Sequence, residues 1–201
     1  MRNGQKRKTS ILCYLLIFIV FIPSVLYGQD STNVFRTISI SADYLNNSNH
    51  NIFHNYWKPT NGIDLNAKTE FYWGKIELGA QLFSINTQNI EQPDFVAVNM
   101  YIGWGLEHKL TSKLFLNSSF TVGNYFMNFD ENNIDDNLKS ESEFSFGLKA
   151  GLKYIFRNNM FLNLSGRYQI IYTFHRIELT YISIGLGKSF DMPDWLEEFL
   201  N

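Results

Sequence analysis

Side chains able to do chemistry gather in three places, and each falls short of a complete site. His50 and His54 stand four residues apart beside Tyr56 and Trp57. On a helix they could share a metal ion, but no carboxylate or third histidine stands nearby to complete the ligand set, which points to a solvated loop. Asp130, Glu131, Asp135 and Asp136 form an acidic run of the kind that holds Ca2+ or Mg2+. The spacing is not that of an EF-hand, because position six would be Asp135 rather than glycine. Asp130, Asp135 and Asp136 are therefore marginal ligand candidates, and the sequence calls for no metal centre and no cofactor. His175 and Glu178 offer a histidine and a carboxylate, but Phe174 and Arg176 flank the histidine and the next serine is Ser183. The nucleophile–base pair that acyl transfer needs is not evident.

A different set of charged residues recurs with a period of two. Glu143, Ser145, Gly147, Lys149, Gly151 and Lys153 alternate with Phe144, Phe146, Leu148, Ala150, Leu152 and Tyr154. After Arg157-Asn158-Asn159 the alternation resumes, with Leu162, Leu164, Tyr168 and Ile170 against Asn163, Ser165, Arg167 and Gln169. A period of two is that of a β-strand with unlike faces, so this stretch predicts a hairpin. The same alternation predicts strands over about 34–44, 62–73, 75–85, 95–109, 113–127 and 177–190. Lys68, Glu70, Glu77, Glu107, Lys149, Lys153 and Arg167 then all fall on the polar parity.

Those eight segments are joined by connections that alternate in length. Gly74-Lys75, Thr111-Ser112 and Arg157-Asn158-Asn159 read as tight turns at one end, together with both termini. Longer loops, rich in Asn and acidic residues, fall at the other end. This is the wiring of an all-β, eight-stranded antiparallel up-and-down barrel.

The start of the chain gives a location. Arg2, Lys6, Arg7 and Lys8 precede the apolar run 11–22, and Pro23, Ser24 and Gly28 follow it. This predicts a signal peptide over 1–28, cleaved on export, a barrel over 29–190 and a short tail over 191–201. Cys13, the single cysteine, lies in the leader, so the exported chain has no disulfide, thiol nucleophile or Cys–zinc site. The leader takes four of the 17 Lys and Arg residues and none of the 19 acids. The remaining chain is acidic, which argues against nucleic acid as a partner.

Alternation does not say which parity faces outward. A water-soluble carrier of the lipocalin kind puts its apolar parity inside, and a membrane barrel puts it outside. Three features favour the membrane. The polar parity carries small residues and charges of both signs, which suit a bore that eight strands barely leave open. Large apolar side chains would crowd that bore. Aromatic residues also gather near strand ends, at Tyr44, Trp73, Phe95, Tyr125, Phe126, Tyr154, Phe156, Tyr172 and Phe190, as in girdles at the two lipid boundaries.

With its strand rhythm, its loop alternation and the closing segment Ile184-Gly-Leu-Gly-Lys-Ser-Phe190, the chain resembles the small eight-stranded outer-membrane β-barrels of the OmpX and OmpA-barrel type. The resemblance implies a bacterial outer-membrane location, contact with lipid and lipopolysaccharide, and Phe190 as part of the signal read by the barrel-insertion machinery. The chain departs from that pattern in the residues beyond Phe190. The expected role is structural or interaction-based, with Phe53, Tyr56 and Trp57 of the first outer loop as anchors for an extracellular or envelope protein. Some barrels of this type modify lipid A, and that enzymatic reading stays open beside the soluble carrier. Within the lumen, Arg167, Lys149 and Lys153 are expected to meet Glu107, Glu70 and Glu77, because an unpaired buried charge is costly.

Overall fold

The computed structural model describes residues 34–88, 92–130, 139–193 and 195. The expected signal peptide and most of the tail lie outside the described residues. So do Glu131, Asp135 and Asp136.

The strands are β1 (Thr37–Asn47), β2 (Trp57–Phe71), β3 (Gly74–Thr87), β4 (Phe95–Lys109), β5 (Leu114–Phe129), β6 (Ser140–Ile155), β7 (Met160–Ile171) and β8 (Ile177–Asp191). Each pairs antiparallel with its neighbours in sequence, and β1 pairs with β8 to close a barrel. Closure is what a strand set with one greasy face needs, since a free edge in hydrocarbon would leave backbone N–H and C=O groups unpaired.

Strand existence follows the alternation closely, while boundaries and turns differ for physical reasons. β2 begins at Trp57 rather than near Gly62. Pro59 cannot donate to the ladder, but a register shift between Pro59 and Gly62 absorbs it as a bulge. The β2–β3 turn is Tyr72-Trp73 rather than Gly74-Lys75, because Gly74 already pairs with Phe71. Tyr72 takes the left-handed conformation there (φ 48°). Gly74 is small for another reason: a Cβ on it would stand 2.5 Å from the Trp104 ring. In the β6–β7 turn, Asn158 and Asn159 carry positive φ (60° and 57°), which asparagine tolerates. Thr111 Oγ1 accepts from the Lys113 and Leu114 amides to fix the β4–β5 turn.

The apolar parity faces outward. Ile40, Leu65, Leu78, Met100, Leu148, Leu164, Ile184 and Leu186 are each about half exposed around the circumference. Tyr44, Trp73, Phe126, Tyr154, Phe156, Tyr172 and Phe190 are exposed towards the strand ends, as a girdle requires. Phe95 and Tyr125 are not part of it. They are 3% and 1% exposed and point into the lumen, so their place near strand ends misled the sequence reading. A soluble carrier would need the reverse orientation throughout.

Leu148 lies midway between Phe144 and Tyr154 on the outer face of β6. Replacing it by arginine should cost about 2–4 kcal/mol of folding stability in a bilayer, the penalty for a cation at mid-depth. Denaturant titration in lipid vesicles measures it, and an unchanged midpoint would contradict this orientation.

Candidate functional site

The inside of the barrel is filled in two storeys. The lower one, towards the termini, is ionic. Asp43 on β1 is the register partner of Asp64 on β2, and Lys149 on β6 is the partner of Arg167 on β7. Each adjacent pair is like-charged and unfavourable alone. The two pairs meet across the bore. Arg167 Nη2 lies 2.9 Å from Asp64 Oδ2, and Lys149 Nζ lies 3.3 Å from Asp43 Oδ2 and 3.8 Å from Glu77 Oε1. These groups are almost completely shielded from solvent.

Polar neighbours complete the shell. Arg167 lies over the Tyr101 ring, 4.7 Å from its centroid, and donates to its hydroxyl at 3.2 Å. That hydroxyl is 2.8 Å from Asp64 Oδ1 and 3.1 Å from Glu77 Oε1. With its carboxamide oxygen turned to the guanidinium, Gln81 accepts from Arg167 Nη1 at 2.7 Å and Nε at 3.2 Å. Gly185 makes room for the Asp43 carboxylate, which a Cβ at that position would overlap.

Nearer the termini most of the pairs lie between neighbouring strands, and Lys153 on β6 reaches past β5 to Glu107 on β4. Lys68 meets Glu77 at 3.1 Å, and Lys75 meets Glu107 at 3.0 Å and Glu70 at 3.4 Å. Lys153 meets Glu107 at 2.7 Å, and Thr37 Oγ1 donates to Glu70 at 2.7 Å. Acids and bases are equal in number: Asp43, Asp64, Glu70, Glu77 and Glu107 against Lys68, Lys75, Lys149, Lys153 and Arg167. Two recesses of about 20 Å3 each lie beside Lys68, Lys75, Glu107 and Asn117, each with room for a water.

The upper storey is apolar. Leu45, Phe83, Ile85, Phe95, Ala97, Tyr125, Met127, Ile171, Leu179 and Tyr181 form one buried cluster inside the strand ends at the long-loop end. Phe83 and Tyr181 stack with ring centroids 4.9 Å apart. The sequence reading, which filled the lumen with small and charged residues, missed this plug. Its members share the polar parity of their strands and stand out only as large residues at one end of it.

The first outer loop covers the plug. Its 3-10 turn Ile52–Asn55 is capped by Asn51, whose side chain accepts from the Phe53 amide. Phe53 stacks on Trp57 at 5.4 Å, Trp57 meets Phe95 edge-on, and Trp57 Nε1 donates to the Pro93 carbonyl at 3.1 Å. Of the three expected anchors, Phe53 and Trp57 therefore pack inward and Tyr56 is exposed.

His54 is not solvated. It is 5% exposed, Nδ1 accepts from the Asn51 amide at 3.1 Å, and Nε2 lies 2.8 Å from Asn47 Oδ1. Nδ1 also lies 2.9 Å from Asn51 Oδ1. Its ring centroid is 5.2 Å from that of His50, which is exposed. Among the described residues no group of three or more metal-ligating side chains forms. Asp130 is exposed. His175 lies against Phe174, and Glu178 is held by Arg176 at 2.5 Å, so the acyl-transfer reading gains no geometry.

The residues that sequence reasoning left out of the network are Asp43, Asp64 and Lys75. Asp43 and Asp64 lie on the polar parity, but only register shows them side by side, in need of cations from the far wall. Lys75 reads as a turn residue in the sequence, but it pairs with Glu70 across the Tyr72-Trp73 turn.

An apolar circumference, a polar and filled bore and eight closed strands define a transmembrane β-barrel of the small outer-membrane type. Among solved structures, the chain is similar to neisserial surface protein A, with 12% identity, a TM-score of 0.60, and coverage of 76% of this chain and 97% of that one. It is also similar to Ail, the attachment invasion locus protein of Yersinia pestis, with 16% identity, a TM-score of 0.50, and coverage of 78% and 99%. These likenesses are of fold. No family model matches the chain, and no curated protein matches it in sequence.

Two outcomes follow from this geometry. Arg167→Met leaves Asp64 buried beside Glu77 without its closest cation, and should lower stability in detergent by about 3–5 kcal/mol. Adding Asp64→Leu should recover part of that loss, and a double variant no better than the single would contradict the pairing. The second concerns pH. Burial, and then the neighbouring His50, hold the His54 pKa below its ordinary value. The loop's stability is therefore complete above about pH 6.5 and is lost as pH falls through the lowered value. The Trp57 indole N–H resonance should report that loosening, and His54→Gln should remove the pH dependence.

Proposed function

We propose that this protein is an outer-membrane barrel that conducts no solute and serves as a rigid mount for an interaction surface at its long-loop end. The observation that carries the reading is the two-storey filling of the lumen. The apolar plug excludes water, and the charge-balanced network beneath it offers a migrating ion no unpaired partner. A lumen built to conduct is lined by free polar or charged groups around an open bore.

The surface itself supports the second half of the reading. Ile52 is 78% exposed and Phe174 is 95% exposed, and Tyr56 stands with Ile52 in the first loop. Exposed large apolar and aromatic side chains on anchored loops suit a protein partner. Phe53 and Trp57 contribute by pinning that loop to the plug. Likeness in fold to a protein named for attachment and invasion is in keeping with a surface role.

In planar lipid bilayers the purified barrel should produce no steady conductance above that of the bare membrane. Stepwise ion currents would overturn the closed-lumen reading. On intact cells, a membrane-impermeant thiol reagent should label cysteine placed at Tyr56 or Phe174 and should not label it at Arg157. The reverse pattern would put the loops on the wrong side for an exposed interaction surface.

A further inference from the structure

The described charges outside the lumen are sorted by end. Arg36, Lys109, Lys113, Arg157 and Lys188 are exposed at the end that carries the termini and tight turns, where the exposed acid is Asp191. At the long-loop end Asp94, Asp130 and Glu141 are exposed, with Lys58 and the Glu178-bound Arg176 as the exposed cations.

Three of the cations share one sector of the basic rim. The turn Arg157–Asn159 packs on β8. Lys188 is the register partner of Met160, which follows that turn, and of Ile40 on β1. The Arg36 carbonyl accepts from the Met192 amide just beyond β8.

Lys188 is the telling residue. It continues the outward row of Ile184 and Leu186, on the parity that faces lipid. A lysine there is costly at mid-depth and tolerated near the boundary, where its stem can carry the ammonium to the headgroups. Its Nζ lies 5.0 Å from the Phe190 ring, at the strand end. Exposed Phe156, Met160 and Phe190 supply an apolar floor around it. Cations ringing a lipid-facing apolar floor fit a ligand with acyl chains below and a phosphate above.

We propose that Arg36, Arg157 and Lys188 form a binding site for the phosphate of an anionic phospholipid in the leaflet at the termini end. In an outer membrane of the expected orientation that leaflet is phospholipid, so the site rests on the membrane reading above and gives it a lipid preference.

The test uses the full barrel in phosphatidylcholine nanodiscs carrying spin-labelled lipid. The lipid shell should be enriched in labelled phosphatidylglycerol over labelled phosphatidylcholine. In R36Q/R157Q/K188Q the enrichment ratio should fall to about 1, whereas K58Q/R176Q, which removes cations from the other end, should keep it. High salt should bring the wild-type ratio towards 1 as well, which retains the test if the triple variant does not fold. No enrichment in the wild type, retention in the triple variant, retention at high salt, or loss in K58Q/R176Q would each overturn the site. A change of gel mobility on heating separates these outcomes from failure of the barrel itself: a chain that shows no shift and does not enter the nanodisc refutes the membrane reading instead.

Discussion

The structure depends on a pairing that spans the bore. Asp43 and Asp64 are neighbours on β1 and β2, and Lys149 and Arg167 are neighbours on β6 and β7. Within one sheet each couple repels. Only when β1 closes on β8 do the four groups converge, with Glu77 and Tyr101 filling the space between them. The ionic lumen is therefore a reward for closure. In an open sheet these charges would sit beside like charges, far from their partners.

The apolar plug follows a different logic. Ions buried in a narrow bore are tolerable when each has a partner, but they pack around small recesses. Aromatic and aliphatic side chains fill space with little of that demand, although the buried hydroxyls of Tyr125 and Tyr181 have no hydrogen-bond partner among the described residues. Phe83, Tyr125 and Tyr181 occupy the lumen where the first loop descends on it, and Phe53 and Trp57 extend the same packing upward. One continuous stack thus joins the loop to the lumen. His54 anchors that loop through its contacts with Asn51 and Asn47, and burial disfavours its charged form.

Register was the part of the design hidden from the chain's own order. Period-two alternation showed which residues share a face, and that was enough to find all eight strands; the narrow bore, the bulk of the apolar side chains and the aromatic positions favoured the outward parity for Leu148, Leu164 and Ile184. It also placed Lys68, Glu70, Glu77, Glu107, Lys149, Lys153 and Arg167 on the inner face. It could not say that Arg167 meets Asp64, because that contact depends on the stagger accumulated over the strands between them. Phe95 and Tyr125 were misplaced for a related reason. Nearness to a strand end is visible in one dimension, while facing in or out there depends on parity carried through the whole strand.

By itself, then, the sequence determined the fold class, which residues share a face of each strand and the absence of any thiol beyond Cys13. Those properties are local: each is written in the spacing of neighbouring residues and in composition. Tertiary structure alone decided which charges pair, where the lumen is sealed and which loop aromatics face outward. These depend on residues from opposite walls meeting across a closed cylinder, and no local pattern records a distance between strands that touch only through the bore.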